Sequence, residues 1–111
     1  MDIIFDNDKF RRECNDQKTL IRRHGKRRAD VIRRRLDDLA AAGVLEVMRT
    51  LPGRCHELTR DHIGHLSIDL DGPYRLIFKP ANSPLPVKDG GGLEWSQVTA
   101  ITILGVENTH E

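Results

Sequence analysis

This sequence of 111 residues has no apolar run long enough to cross a bilayer, few aromatic residues and only two cysteines. A membrane-spanning helix needs about 20 consecutive apolar residues, and no stretch of this chain approaches that length. Residues 1–6 are too few and too acidic to form a secretory signal peptide. Without an export signal, Cys14 and Cys55 are expected to be reduced thiols rather than a disulfide. The sequence therefore predicts a cytoplasmic protein that does not associate with membranes.

Aromatic residues make up 5% of the chain, comprising one Trp, one Tyr and three Phe. So few rings argue against a protein that binds single strands by stacking successive bases on aromatic side chains. What the chain does contain is 38% hydrophobic and 32% charged residues, a balance typical of an ordinary folded protein. At this length, and with no internal repeats, we expect one domain that covers residues 1–111.

The charged residues are strongly segregated, although the formal net charge is only +1. Residues 9–35 contain 12 of the 18 Lys and Arg residues but only three acidic residues, whereas the rest of the chain has six basic and 14 acidic residues. Some of this charge can pair locally, because Asp37 and Asp38 lie at helical spacing from Arg33 and Arg34. The remaining excess predicts a surface that binds a polyanion with steep salt dependence.

Hydrophobic periodicity gives the first half of the chain a helical character. Helices are predicted over residues 8–23 and 27–42, and Gly25 ends the first of them. A short helical turn is expected over residues 45–51. The second helix should face the core with a stripe at spacings of three and four, formed by Ala29, Ile32, Leu36 and Leu39.

Strands are predicted at the start of the chain and throughout its second half, over residues 3–5, 66–70, 74–79 and 98–106. The dipeptide Asp71-Gly72 is typical of a tight hairpin turn between two of them. Residues 80–94, with three prolines and a glycine triplet, are typical of a long surface loop. The predicted fold class is α+β, with an N-terminal helical hairpin packed on one side of a mostly antiparallel twisted sheet.

Five short motifs in the second half occur in an order and at spacings that resemble one known family. They are Leu51-Pro52-Gly53-Arg54-Cys55-His56-Glu57-Leu58, Asp61 with Gly64, Ser67-Ile68, Tyr74-Arg75-Leu76-Ile77-Phe78, and Val106-Glu107-Asn108-Thr109-His110. With these motifs the chain resembles the RelE/ParE toxin superfamily, and within it the HigB-like (plasmid-maintenance killer) branch. The likeness covers residues 45–111, whereas the basic helical hairpin agrees in layout rather than in motif.

The resemblance implies a RelE-like fold and the toxin of a type II toxin–antitoxin system. Such a toxin enters the ribosomal A site and cleaves mRNA there without a cofactor. It is silenced by an antitoxin, here a HigA-like helix-turn-helix protein that would link it to DNA only indirectly. By motif, His56 stands at the family's histidine at the start of the first long strand, Arg75 at the arginine of its strand motif, and His110 at its terminal histidine.

The residue types themselves suit metal-independent RNA cleavage, in which the 2′-hydroxyl attacks the adjacent phosphorus. Histidine can exchange protons near neutral pH, and arginine meets phosphate oxygens in pairs. We expect His56 and His110 to be the acid and base in either order, Arg75 to clamp the phosphate, and Asn108 to hydrogen-bond the substrate. The residues expected to contact RNA or the ribosome are Arg22, Arg23, Lys26, Arg27, Arg28, Arg34, Arg54 and Lys79.

The sequence leaves three alternatives open. Arg75 could pair with a cross-strand acid such as Asp69 and have no catalytic role. Asn108-Thr109 stand where the family usually has Asp-Tyr, which favours a weakened toxin-like module that mainly binds its antitoxin. A ParE-like relative would instead bind DNA gyrase and cleave no RNA.

A metal site is not predicted, although several candidate ligands lie close together in the sequence. Cys55 and His56 are adjacent on a predicted strand and should point to opposite faces. No pair of Cys or His at the usual ligand spacings supports a closed tetrahedral shell. The other candidates in this segment are Asp61, His62 and His65.

Overall fold

A five-stranded mixed sheet and three α-helices make up the regular part of the computed structural model, which describes residues 1–59 and 64–109. The helices are α1 (Asp8–Cys14), α2 (Gln17–His24) and α3 (Lys26–Ala41). The strands are β1 (Asp2–Phe5), β2 (His56–Glu57), β3 (Leu66–Asp69), β4 (Tyr74–Pro80) and β5 (Ala100–Asn108). Within these described residues, two 3-10 helices cover Leu45–Thr50 and Trp95–Gln97. The predicted α+β class is confirmed.

The strands lie in the order β1-β5-β4-β3-β2. β1 is parallel to β5, and the other three pairings are antiparallel, so the sheet is mostly antiparallel as predicted. The helices follow β1 in the chain instead of preceding the whole sheet. No helix within the described residues is long and apolar enough to cross a membrane.

The single helix predicted over residues 8–23 is wrong, because the chain breaks between α1 and α2. The side chain of Asp16 accepts hydrogen bonds from Lys18 N and Thr19 Oγ1, and so caps the start of α2. A short acidic side chain favours this capping conformation over the interior of a helix. The predicted end at Gly25 is confirmed, with a positive φ of 83°.

The core lies between the helices and one face of the sheet. The stripe predicted for α3 is confirmed: Ala29, Ile32, Leu36 and Leu39 are all buried in it. In the sheet, alternate residues such as Ile68, Leu76 and Phe78 belong to the same cluster. Their neighbours in sequence therefore point the other way, towards the face that the helices do not cover.

We call that uncovered surface the open face. Directly paired residues on neighbouring strands share a face of a sheet, so the register identifies its members. They are His56, Ser67, Asp69, Arg75, Ile77, Gly105 and Glu107.

A β-bulge interrupts the pairing of β4 with β5 in the middle of the open face. Ile77 pairs with Gly105, but the next residue, Phe78, pairs with Ile103. Leu104 is thus an extra residue in β5, which bends the strand and increases its local twist. Gly105 has a φ of 146°, a backbone conformation that side-chain-bearing residues rarely adopt.

Candidate functional site

Two adjacent rows of side chains cross the open face from strand to strand. One row, from β2 to β5, consists of His56, Ser67, Ile77 and Gly105. The other row, from β3 to β5, consists of Asp69, Arg75 and Glu107. The fold therefore places His56, predicted to be either the acid or the base, on the same surface as Arg75, the predicted phosphate clamp.

Asp69 connects two arginines on this surface. Its Oδ2 accepts a hydrogen bond of 2.7 Å from Arg54 Nε, and its Oδ1 lies 2.8 Å from Arg75 Nε. The second contact is ionic and not a well-aligned hydrogen bond, because Oδ1 is buried without a hydrogen-bond partner. Arg75 Nη1 donates to the carbonyl oxygens of Gly72 and Tyr74. The pairing of Arg75 with Asp69, which the sequence left open, is thus present.

The two arginines differ in how exposed their side chains are and in how many contacts hold them. The side chain of Arg75 is 19% exposed and is held from several sides, whereas that of Arg54 is 72% exposed. The hydrogen bond with Asp69, and then its charge, raise the pKa of Arg54 above its ordinary value. The guanidinium of Arg54 is therefore accessible to solvent, whereas the guanidinium of Arg75 is held in one orientation.

The backbone around Asp69 is itself anchored. Asp69 N donates to Gly53 O at 2.7 Å, and Arg35 Nε, from α3, donates to Asp69 O at 2.9 Å. Gly53 has a φ of 113°, and a Cβ added to it would lie 2.6 Å from Ile68 Cγ1. Only glycine fits here, and this close approach places the next residue, Arg54, beside Asp69.

His56 is exposed and has defined partners for both ring nitrogens. Nδ1 lies 3.1 Å from Glu57 O, and Nε2 lies 3.3 Å from the hydroxyl of the buried Ser67. A carbonyl oxygen can only accept, so the Nδ1 contact requires a proton on Nδ1. In the neutral ring Nε2 is then the nitrogen without a proton, and it can accept a hydrogen bond from the Ser67 hydroxyl.

A cavity of about 380 Å³ opens next to this pair of rows. Sequence analysis assigned no role to Glu107 and treated His65 only as a candidate metal ligand. Glu107 lies two residues after Gly105, beside the bulge in β5, and no sequence motif predicted that bulge. The residues that line the cavity are His65, Ile77, Leu104, Gly105, Val106 and Glu107.

The other site residues predicted on the strands differ in whether they lie on this surface. Asn108 pairs with Tyr74, so the register places it on the opposite face from Arg75 and Glu107. His110 lies outside the described residues. Lys79 is exposed two residues beyond Ile77 and shares the face of Arg75, as predicted.

The helical hairpin carries most of the basic residues expected to contact RNA. Arg28 differs from the rest: its guanidinium carbon lies 3.3 Å from the centroid of the Tyr74 ring, and its Nε donates to Asp71 at 3.0 Å. Arg28 therefore links α3 to the hairpin formed by β3 and β4. The exposed ones are Arg22, Arg23, Lys26, Arg27 and Arg34.

The fold separates two of the candidate metal ligands, Cys55 and His56. Cys55 packs against the core, and burial raises the pKa of its thiol to about 12, whereas His56 is exposed on the open face. A thiol that keeps its proton is a poor metal ligand. Across residues 1–59 and 64–109, no three His, Cys, Asp or Glu side chains are grouped to hold a metal ion. Asp61 and His62 lie outside the described residues.

Comparison with known proteins gave no match for this chain. No protein-family model matches it, and no curated protein or solved structure is significantly similar to it. The assignment of a function therefore rests on the residues and their geometry.

Proposed function

We propose that this chain is a RelE-like toxin of the HigB-like branch, which cleaves mRNA on the ribosome without a metal ion. The observation that supports the proposal best is the shared face of His56 and Arg75. A base and a fixed guanidinium on one uncovered surface are what cleavage by the 2′-hydroxyl requires. His56, Ser67 and Arg75, which belong to the motifs that resemble this family, lie on that same surface.

In the proposed reaction, His56 Nε2 takes the proton of the 2′-hydroxyl. That oxygen then attacks the adjacent phosphorus. Arg75 and Arg54, which both contact Asp69, balance the negative charge that builds on the phosphate oxygens. The 5′-oxygen leaves with a proton from a second acid, a role that the proposal gives to His110.

The basic helical hairpin supports a ribosomal setting. Five exposed bases on α2 and α3 form a surface suited to the phosphates of folded RNA. A HigA-like helix-turn-helix antitoxin is the proposed partner, with an acidic or amphipathic surface that covers these bases or the open face. The protein would act in the cytoplasm, where the ribosomes are.

The experiment is induced expression in a bacterial host, with growth and mRNA cleavage measured together. We expect growth arrest and mRNA cut at codon boundaries on ribosomes. His56→Ala and Arg75→Ala should each restore growth and reduce cleavage at least a hundredfold while the protein stays folded. Arg12→Ala is the matched control, because Arg12 is an exposed base on α1, away from the open face.

Two results would contradict the proposal. If both site variants stay as toxic as the parent chain, the open face is not the active site. If induction instead breaks chromosomal DNA with gyrase attached, the chain is a ParE-like toxin.

A second candidate function is a weakened module that mainly binds its antitoxin. The observation in its favour is the position of Asn108, which stands where the family usually has an acid and faces away from Arg75. This candidate predicts no growth defect on induction, together with tight binding of the antitoxin. The expression experiment therefore separates the two candidates.

A further inference from the structure

We propose that the cavity on the open face is a nucleobase subsite that selects guanine through the carboxylate of Glu107. The cavity of about 380 Å³ adjoins the row that contains Arg75, and none of its lining residues has a part in the proposed reaction. This volume is near the lower end of ligand sites, which suits one base and not a longer stretch of RNA.

The shape of the cavity comes from the bulge in β5. Gly105 pairs with Ile77 in the row next to Arg75 and Glu107, and a Cβ added to Gly105 would meet no atom within 4 Å. The space above this glycine is therefore open to solvent. Leu104 and Val106, which are both half-buried, give the cavity an apolar wall on which the flat face of a base can lie.

The polar groups of the cavity decide which base fits. Within the described residues, Glu107 forms no ion pair, although Arg75 is its cross-strand neighbour, because Arg75 contacts Asp69 instead. An ionised carboxylate has only acceptors to offer. Guanine is the base whose pairing edge presents two adjacent N–H donors, on N1 and on the 2-amino group. Adenine presents an acceptor at N1, which the carboxylate disfavours.

The cavity lies close enough to Arg75 for one nucleotide to contact both, with its base in the cavity and its 3′-phosphate at Arg75. Arg75 and Glu107 are paired directly across β4 and β5, so a base on Glu107 has its 3′-phosphate within reach of the Arg75 side chain. This step rests on the proposed function, because it makes guanosine the nucleotide that carries the attacking 2′-hydroxyl. The enzyme would then cut on the 3′ side of guanosine.

The test is equilibrium binding of guanosine, inosine and adenosine 3′-monophosphates to the full chain, by calorimetric titration. We expect guanosine to bind about tenfold more tightly than adenosine, with inosine between them because it lacks the 2-amino group. Glu107→Gln should remove the preference, because the neutral amide can donate to adenine as well as accept from guanine. Arg75→Ala should weaken all three nucleotides equally. Glu46→Gln is the control, since Glu46 is an exposed acid in the 3-10 helix Leu45–Thr50.

Equal affinity for guanosine and adenosine, or a preference that survives Glu107→Gln, would overturn the subsite. Thermal unfolding of each variant checks that it is folded, which the exposure of Glu107 favours. RNA cleavage without preference for guanosine refutes the subsite and leaves the proposed nuclease intact. Guanosine binding that depends on Glu107, in a chain that cleaves no RNA, keeps the subsite and refutes the nuclease.

Discussion

Arg75 faces Asp69 across β4 and β3, with Nε 2.8 Å from Oδ1, and the same carboxylate holds Arg54 at 2.7 Å through its other oxygen. This shared contact has two consequences. It fixes the guanidinium of Arg75. It also means that one acid, Asp69, positions both arginines. The charge of Asp69 is therefore as important to the open face as the arginines themselves.

Asp69→Asn should release both arginines while preserving the shape of the side chain. We expect RNA cleavage to fall about a hundredfold, because a misplaced catalytic group costs about that much. The free energy of unfolding should fall by about 1–2 kcal/mol, from the loss of a charge-assisted hydrogen bond. Asp30→Asn, which removes only an exposed i,i+4 pair with Lys26, is the control. Unchanged cleavage in Asp69→Asn would show that the arginines do not depend on this acid.

Gly53→Ala should destabilise the protein far more than the same change at an unstrained glycine. The residue has a φ of 113°, and the new Cβ would lie 2.6 Å from Ile68 Cγ1. We expect a loss of about 2–4 kcal/mol in the free energy of unfolding, measured by urea denaturation. Gly43→Ala is the matched control, because Gly43 has neither a positive φ nor an atom within 4 Å of the added Cβ. Similar stability of the two variants would contradict this account.

The cap on α2 should make a small part of the stability depend on acid pH. The hydrogen bond from Thr19, together with those from the backbone, lowers the pKa of Asp16 below its ordinary value of 3.8. A lowered folded-state pKa gives stability that is present above pH 3.8 and is lost as the pH falls through the folded value. Asp16→Ala should therefore lower Tm at neutral pH, and this difference should shrink below pH 3.8. Asp16→Asn, which keeps the capping oxygen, should lose less at neutral pH.

The two cysteines should be unreactive in the folded protein. Burial raises the pKa of both Cys14 and Cys55 to about 12 from an ordinary value of 9.0, so the thiolate is scarce at neutral pH. Alkylation by iodoacetamide at pH 8, followed by mass spectrometry, should be much slower in the folded protein than in urea. Because the unfolded thiols ionise first, stability should also fall as the pH rises from 9 towards 12. Rapid alkylation of Cys55 in the folded chain would refute this prediction.

Periodicity is enough to predict most of the fold. The apolar stripe of α3 and the alternating strands around Asp71-Gly72 are recognisable because their patterns repeat over several residues. The break at Asp16 escapes prediction because the apolar spacing continues across it, so that only the capping residue marks the interruption. The position of β1 next to β5 is a long-range pairing that no local pattern contains.

The candidate site can be predicted only in part. His56 and Arg75 are singled out by motif, and strand alternation alone places Arg75 with Ile77. The cavity beside them depends on the bulge at Leu104, which changes which residues of β5 reach the open face. The family resemblance favours Asn108 over Glu107, because Asn108 stands at a motif position, although the two adjacent residues lie on opposite sides of the sheet.

Arg23, an exposed base of α2, lines a cavity of about 310 Å³ together with Gly105, which also lines the cavity on the open face. The two cavities therefore meet at the part of β5 that β1 does not pair with. Under the proposed function, a strand of RNA on the open face would continue across this edge to the bases of α2. Attraction that depends on salt and recognition that depends on a nucleobase would then lie along one continuous path.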